Sequence, residues 1–257
     1  MRGRAAGAAC AGDAMKLRDR IHMLGSGLLG MNASHELDCN VYLLDGGEAQ
    51  AIVDCGTGYG VPALLAELER TGFSPAGVRT VLLTHAHQDH AGGASRLRAA
   101  TGAAVVASPL TAAIVEAGDE EANGLAEARI AGVYPPDCRL DSCPVLPIEP
   151  GECLRIGDLS LETIATPGHS ADMLSYYCPE LKALFCGDTV FAGGHIAALR
   201  SPDFSMAALE RSIRLLAEYD VDVLLPGHLH PVLRGGGIAL TQALAAFGLP
   251  GGPPSIV

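Results

Sequence analysis

The sequence predicts an α+β fold made of two β-rich halves, each of which also carries helices. Short apolar runs typical of strands recur in both halves, and turn residues bound most of them. Stretches with helical periodicity lie between these runs. Hydrophobic residues make up 49% of the 257 residues and charged residues 18%, which is typical of a globular domain with a buried core.

The first half contains four predicted strands and one well-marked helix. The strands cover residues 40–45, 49–55, 80–85 and 103–108. Residues 61–72 read VPALLAELERTG, in which Pro62 fits the first turn of a helix and Gly72 fits its end. After the third strand, the sequence DHAGGASRLRAA indicates that the chain turns into a further helix.

The second half repeats this mixture of strands and helices. Its predicted strands cover residues 159–165, 173–177, 182–188 and 221–227. Residues 205–219 predict a helix because Met206, Leu209, Ile213 and Leu216 fall on one face, and Ser205 fits the N-cap.

Two segments lie outside this pattern. Residues 1–14 are expected to form a disordered tail, which leaves a single domain over residues 15–257. Residues 110–151, which join the halves, are acidic at first and then Pro-rich. Because a structureless loop of that length is unusual, we expect one or two helices there, overhanging another part of the molecule. Its Tyr134 and Leu140 are candidates either for an apolar pocket wall or for packing on the scaffold.

The composition of the chain argues against two kinds of partner, nucleic acid and membrane. The formal net charge of −12 argues against nucleic acid, and no apolar run approaches the ~20 residues of a membrane span. None of the eight cysteines forms a CxxC pair, so we expect reduced thiols in a cytoplasmic protein, with a Cys138–Cys143 bridge as the alternative in an oxidising compartment. The expected partner is a small-molecule substrate, and a homo-oligomer is left open.

The strongest chemical signal is the sequence LLTHAHQDHAGG at residues 82–93. His85 and His87 follow a strand-like run, and residues two apart in an extended chain point to the same face. Asp89 and His90 follow within one turn. Imidazoles and a carboxylate suit a borderline metal such as zinc. Four ligands in six residues cannot all reach one ion with good angles, which indicates two ions.

Three strand ends of the second half offer further ligands. His169 ends IATPGH, Asp188 ends LFCGD, and His228 ends VLLPGH, each beside a glycine and after an apolar run. Any one of them alone would be ordinary in a loop. Together with the first cluster they complete a set of seven.

With these residues the chain resembles the metallo-beta-lactamase superfamily, whose HxHxDH motif and later His, Asp and His it matches in order. The resemblance implies a four-layer αβ/βα sandwich, in which two β-sheets pack face to face with helices outside. It implies a first metal bound by His85, His87 and His169 and a second bound by Asp89, His90 and His228. Asp188 would bridge the two ions.

The resemblance also implies an activity. We expect a dinuclear metal-dependent hydrolase that uses a metal-bound hydroxide to cleave an ester, thioester or lactone of a small molecule. Zinc is the expected metal, with manganese or iron as alternatives. Asp89 would steer the hydroxide or relay a proton, and His195 is a catalytic candidate because substrates of relatives lie near its loop. The alternative is a mononuclear iron enzyme similar to the persulfide dioxygenases.

Differences from known branches of the superfamily narrow the range of expected substrates. Asp188 argues against true β-lactamases, which usually have no Asp there, and Phe191 stands where acyl-homoserine lactonases carry a Tyr. The catalytic half resembles glyoxalase II, but Gly193, Gly194 and His195 replace the Cys-Gly-basic run that grips glutathione. We therefore expect glutathione thioesters to be poor substrates.

Hydrogen-bond partners of the metal-bound histidines are also predicted. The resemblance places Asp54, in AIVDCGTG, behind the ligands. Thr84 is also expected there, because metal-bound histidines usually donate their other N–H to such groups. His230 is left open between a solvated loop residue and a substrate contact. Cys186 is expected to be a buried apolar side chain.

Overall fold

A computed structural model describes residues 15–257, and the predicted tail over residues 1–14 lies outside the described residues. Within residues 15–257 the strands form a seven-stranded and a five-stranded sheet. The first sheet consists of β1 (Lys16–Arg18), β2 (Ile21–Gly25), β3 (Val41–Asp45), β4 (Gln50–Val53), β5 (Val78–Leu82), β6 (Ala104–Ala107) and β7 (Val145–Pro147). Its strands run in sequence order, antiparallel from β1 to β4 and parallel from β4 to β7.

The second sheet has the order β12-β11-β10-β9-β8. Its strands are β8 (Cys153–Ile156), β9 (Leu159–Ala165), β10 (Leu174–Cys178), β11 (Ala183–Gly187) and β12 (Val223–Pro226). Strands β8 to β11 pair antiparallel, whereas β11 and β12 run parallel. The two halves therefore meet between β7 and β8, after the joining segment.

The described residues also form seven α-helices, most of which pack on the outer faces of the sheets. They are α1 (Val61–Arg70), α2 (Gln88–Ala91), α3 (Ala94–Thr101), α4 (Pro109–Ala117), α5 (Leu125–Ile130), α6 (Met206–Leu216) and α7 (Gly237–Phe247). One apolar core packs the first sheet against α1, α3 and α4, and another packs the second sheet against α6 and α7. A third core lies between the sheets, where the Tyr42 and Phe185 rings are 5.8 Å apart. The layers are thus helix, sheet, sheet and helix.

Most predicted elements are present with slightly different bounds. All eight predicted strands form, and Ser205 caps α6 by accepting a hydrogen bond from the Ala208 amide. Strands β1, β2, β7 and β8 and helix α7 were not predicted. The joining segment contains α4 and α5, as expected, but it also supplies β7 to the first sheet. Cys138 and Cys143 are free thiols, so the alternative bridge does not form.

Hydrogen bonds across the sheet interface fix the two sheets relative to each other. The Tyr42 hydroxyl donates to the Pro226 carbonyl over 2.7 Å, and the Tyr176 hydroxyl donates to the Leu83 carbonyl over the same distance. Both acceptors lie where strands end at one edge of the molecule. In the described part of the chain, no helix is long and apolar enough to cross a bilayer.

Candidate metal centre

Seven predicted ligands meet at the edge where strands of both sheets end. His85 and His87 lie in the turn between β5 and α2, and Asp89 and His90 lie within α2. The other three come from the second half: His169 follows β9, Asp188 follows β11, and His228 follows β12. The fold therefore joins ligands that lie more than 140 residues apart in the sequence, from 85 to 228.

Three imidazoles form the first cluster. The ligand nitrogens of His85, His87 and His169 all lie within 4.8 Å of one another. His87 Nδ1 is 3.0 Å from His169 Nε2. His85 is fully buried, and its Nε2 has no hydrogen-bond partner. These nitrogens converge as ligands of one ion would.

The second cluster combines a carboxylate with two imidazoles. Asp89, His90 and His228 also offer ligand atoms within 4.8 Å of one another. His228 Nε2 lies 3.1 Å and His90 Nε2 lies 3.7 Å from Asp89 Oδ2. This set of one oxygen and two nitrogens matches the predicted second metal.

Asp188 stands between the two clusters. Its Oδ2 is 3.5 Å from His169 Nε2 of the first cluster and 3.3 Å from His228 Nε2 of the second. Its Oδ1 is 3.4 Å from His90 Nε2. Gly227 gives this carboxylate its space, because a Cβ there would lie 2.3 Å from Asp188 Oδ1. The position is the one that a bridging ligand requires.

Buried hydrogen bonds orient the histidine rings. Asp54 Oδ2 lies 2.9 Å from His90 Nδ1, and Asp54 Oδ1 accepts from the Thr84 amide over 2.8 Å. Thr84 Oγ1 lies 3.0 Å from His85 Nδ1. The Nδ1 of His169 donates to the Ala197 carbonyl over 3.2 Å. The three contacts with histidine each engage a ring's Nδ1 and leave its Nε2 for a metal. The structure thus places Asp54 and Thr84 where they were predicted.

Two acidic residues near the site escaped the sequence analysis. Asp172 Oδ2 accepts from the Ala86 amide and from the Thr111 hydroxyl, both over 2.8 Å, and so ties the HAHQDH turn to the loop that follows His169. Asp203 Oδ2 lies 4.0 Å from His87 Nε2. The only signal for Asp172 was its place three residues after His169, and Asp203 had no signal in the sequence.

The electrostatics suit a cation. Burial and the neighbouring His90 and His87 hold the pKa of His85 well below its usual range, and burial lowers the pKa of His169 to about 4. Burial opposes ionisation of Asp188, but attraction by His228, His90 and His169 outweighs it and lowers the pKa of that carboxyl. At neutral pH the first cluster therefore presents His85 and His169 as neutral imidazoles beside an ionised Asp188. In the second cluster, attraction by Asp188 and Asp89 outweighs burial and raises the pKa of His228 to about 9, so a metal ion would have to displace its proton.

Unsatisfied buried atoms provide the test of fit. His85 Nε2, His90 Nε2 and Asp188 Oδ1 are buried without a hydrogen-bond partner. Buried polar atoms normally have partners because an unpaired one destabilises the fold. Here the three atoms belong to the convergent clusters, and nitrogen and carboxylate oxygen are zinc ligands. The residues fit divalent metal ions.

A cavity of about 590 Å³ opens onto this centre. His87, Asp89, His169, Asp188 and His228 form its floor. Residues 123–134 of the joining segment and residues 197–201 after β11 contribute walls. The expected overhang of the joining segment is thus found at the metal edge.

The cavity separates the remaining candidates. Tyr134 lines it, whereas Leu140 is buried in an apolar cluster with Ala86. His195 does not line the cavity; its Nδ1 lies 3.0 Å from the carbonyl of Ala192, within its own turn. His230 is exposed and also lies outside the lining. The structure therefore places His195 outside this cavity, and its catalytic role stays a prediction.

A family model of the metallo-beta-lactamase superfamily matches residues 36–228. The chain belongs to this superfamily. The match confirms the predicted resemblance and includes all seven candidate ligands. Among curated relatives within the superfamily, the hydroxyacylglutathione hydrolase of Legionella pneumophila (strain Corby) is 32% identical over 117 residues, covering 46% of this chain and 35% of that protein. This chain therefore matches about a third of the length of that relative.

Another superfamily relative is similar over a longer stretch. The acyl-coenzyme A thioesterase MBLAC2 of Gallus gallus is 28% identical over 206 residues, covering 74% of this chain and 72% of that protein. Solved structures agree on the fold. A metallo-beta-lactamase family protein from Thermus thermophilus gives a TM-score of 0.70 at 22% identity, over 90% of this chain and 80% of that one. A metallo-beta-lactamase from Cronobacter sakazakii gives 0.65 at 22%, over 82% and 76%. The predicted sandwich is confirmed.

Proposed function

We propose that the protein is a metal-dependent hydrolase with two divalent ions, preferably zinc, that cleaves the thioester or ester carbonyl of a small molecule. The observation that carries this proposal is the position of Asp188, within 3.5 Å of a histidine nitrogen in each cluster. A carboxylate shared by two ligand sets is what a two-metal site needs. Membership of the superfamily supports metal binding.

Each ion would have three protein ligands of its own. His85, His87 and His169 would hold the first ion; Asp89, His90 and His228 would hold the second, and Asp188 would contact both. Coordination positions left open in such sites admit water and substrate. When bound, the ions would lower the pKa of a water toward neutrality and polarise the carbonyl under attack.

Asp89 would accept the proton of the attacking water and donate it to the leaving group. Asp89 lines the cavity floor, and its neighbours His90 and His228 outweigh the opposing effect of burial to lower the pKa of its carboxyl. An ionised Asp89 can accept a proton as water attacks the carbonyl carbon. In a thioester the new C–O bond replaces the C–S bond, and Asp89 returns the proton to the departing sulfur. The products are a carboxylic acid and a thiol.

The names of the relatives favour thioesters among the predicted substrates. One is named a hydroxyacylglutathione hydrolase and the other an acyl-coenzyme A thioesterase, so both names describe the removal of an acyl group from a thiol carrier. The similarity to MBLAC2 covers the larger part of this chain. Because Gly193 and His195 replace the glutathione-gripping run, we rank glutathione thioesters below other acyl thioesters.

Metal analysis combined with activity tests the proposal. We expect two zinc or manganese ions per chain by elemental mass spectrometry, loss of thioesterase activity on chelation, and recovery when zinc or manganese is restored. A His169→Ala variant should lose metal, whereas a His230→Ala variant should keep it, because His230 is exposed outside the cavity. Full activity of stripped protein would refute the mechanism. One iron per chain with oxygen consumption would support the persulfide dioxygenase alternative instead.

A further inference from the structure

The cavity above the metal centre has two chemically different parts. Its floor carries the candidate ligands, and Asp188, which lines it, is only 4% exposed and has an Oδ1 without a hydrogen-bond partner. Its walls come from segments that contribute none of the seven ligands. The walls therefore bear on which substrate is held over the floor rather than on the metals themselves.

One wall is a helix face made mostly of small residues. Gly124, Glu127, Ala128 and Ala131 line the cavity, and their spacing of three and four residues places them on one side of α5. The neighbouring Ile130 is 90% exposed and does not line the cavity. Three of the four side chains are hydrogen or methyl, so this face leaves room beside the helix.

Larger apolar side chains surround that space. Leu29 is 45% exposed and Val133 is 55% exposed, although both line the cavity together with Leu199. They come from three separate parts of the chain, before β3, after α5 and after β11. Exposed apolar surface that converges on a cavity typically marks a ligand site. The cavity volume, about 590 Å³, is in the range of small-molecule pockets.

A single basic side chain joins these walls. Among the described residues that line the cavity, Arg200 is the one lysine or arginine. It is exposed, and no ion pair or hydrogen bond within residues 15–257 engages its guanidinium. In a chain with a net charge of −12, an unpaired arginine at the cavity favours an anionic ligand group. Glu127 lines the α5 wall and would repel an anion there, so the anionic group belongs at Arg200.

We infer that the substrate is an acyl thioester whose apolar acyl chain lies along the small face of α5 and whose thiol carrier places an anionic group on Arg200. This inference rests on the proposed function, because the thioester carbon must sit over the cavity floor. The anionic group is a phosphate or a carboxylate. The apolar wall and the arginine then bind the two ends of one molecule across the metal centre.

Acyl chain length tests the apolar wall. We expect kcat/KM for acyl-coenzyme A substrates from two to ten carbons to rise roughly threefold for each added methylene until the cavity is full. Ala128→Trp should fill the space beside α5 and abolish this rise with chain length. Ile130→Trp adds the same bulk on the exposed side of the helix, and its profile should match that of the native protein.

A second variant tests the apolar wall if Ala128→Trp does not fold, and a measurement of fatty-acid binding tests it without turnover. If Ala128→Trp folds poorly, as judged by its metal content and thermal unfolding, Val133→Ser serves in its place because Val133 is exposed. Calorimetry with decanoate on the metal-free protein reports the acyl site without turnover, and Val133→Ser should weaken that binding. A rate independent of chain length, or equal profiles for both tryptophan variants, would overturn the inference. No hydrolysis of any thioester would instead contradict the proposed function.

Arg200→Gln tests the other end of the substrate. We expect kcat/KM on acyl-coenzyme A to fall roughly tenfold, mainly through KM, because a charge-assisted hydrogen bond is lost. The same acyl group on neutral N-acetylcysteamine should be hydrolysed at an unchanged rate. Arg211→Gln, an exposed arginine on α6, is the matched control. A fall for coenzyme A alone identifies phosphate as the anion, and a fall for the glutathione thioester identifies carboxylate. No fall for either carrier would remove Arg200 from the site.

Discussion

The floor of the cavity and the overhang, which is residues 123–140 of the joining segment, differ in how firmly their side chains are held. At the metal centre His85 is fully buried and Asp188 is 4% exposed. Hydrogen bonds to Thr84, Asp54 and Ala197 orient three of the histidine rings there. In the overhang, Val133 is 55% exposed and Ile130 is 90% exposed. The candidate metal ligands and the proposed substrate walls therefore lie on separate parts of the molecule. On the proposed function, changes in the overhang should alter the preferred substrate without disturbing metal binding.

The scaffold explains why the floor is the firmer region. Asp188 and His228 follow strands β11 and β12, which are buried along their whole length. The hydroxyls of Tyr42 and Tyr176 hold the two sheets together near these strand ends. The overhang contains no strand. Its helix α5 is six residues long, and Leu125 is the buried residue of that helix.

Asp188 should show the largest effect. An Asp188→Ala variant loses the oxygens that face both clusters, so we expect at least one metal to be lost and turnover to fall by orders of magnitude. The fold should persist, because the core between the sheets lies away from this edge. Elemental analysis, thermal unfolding and thioesterase rates measure the three outcomes. Two metals with normal turnover would remove Asp188 from the bridge.

Replacing Asp54 should weaken metal binding, because this residue orients His90 from the side away from the metal. An Asp54→Asn variant keeps the shape and tolerates the left-handed backbone at this position, where φ is 60°. The charge that orients His90 is lost, so metal affinity should fall roughly 10–100-fold, as for other partners of metal-bound histidines. Competition with a chelator measures the affinity. An unchanged affinity would mean that the backbone alone orients His90.

Asp172 links the floor to the scaffold. Replacing it with Ala leaves the Ala86 amide and the Thr111 hydroxyl without their buried acceptor. We expect the free energy of unfolding to drop by about 1–3 kcal/mol. Urea denaturation of the metal-free protein measures this, and Asp220→Ala, on an exposed carboxylate, is the control. An equal drop in both variants would show that the Asp172 contacts are not responsible.

The sequence predicted the floor well because its signals are local. HAHQDH is a contiguous motif, and His169, Asp188 and His228 each end an apolar run that is recognisable as a strand. The strands that were missed, such as β1 and β7, are three residues long and exist only because a neighbouring strand pairs with them. Their sequences carry no alternation from which a strand could be predicted.

The walls were beyond sequence analysis for a different reason. Leu29, Ala128 and Arg200 belong to three distant segments, and only the folded chain brings them to one cavity. His195 is the converse case. The resemblance placed it near the substrate, but the hydrogen bond to the Ala192 carbonyl holds its ring within its own turn. A Gly-rich loop has many conformations, so position along the chain does not fix where its side chains point.

The smallest effect on turnover is expected within the overhang itself, where Tyr134 and Leu140 can be compared. Tyr134 lines the cavity, so Tyr134→Ala should shift the relative rates on short and long acyl thioesters by a few-fold and leave the metal content intact. Leu140 is 5% exposed in the cluster beneath, and Leu140→Ala should cost about 2–5 kcal/mol of unfolding free energy without changing those relative rates. Tyr134→Phe keeps the ring and should preserve the native profile. If Tyr134→Ala slows every substrate equally or releases metal, the overhang supports the floor, and the division drawn between the two regions is wrong.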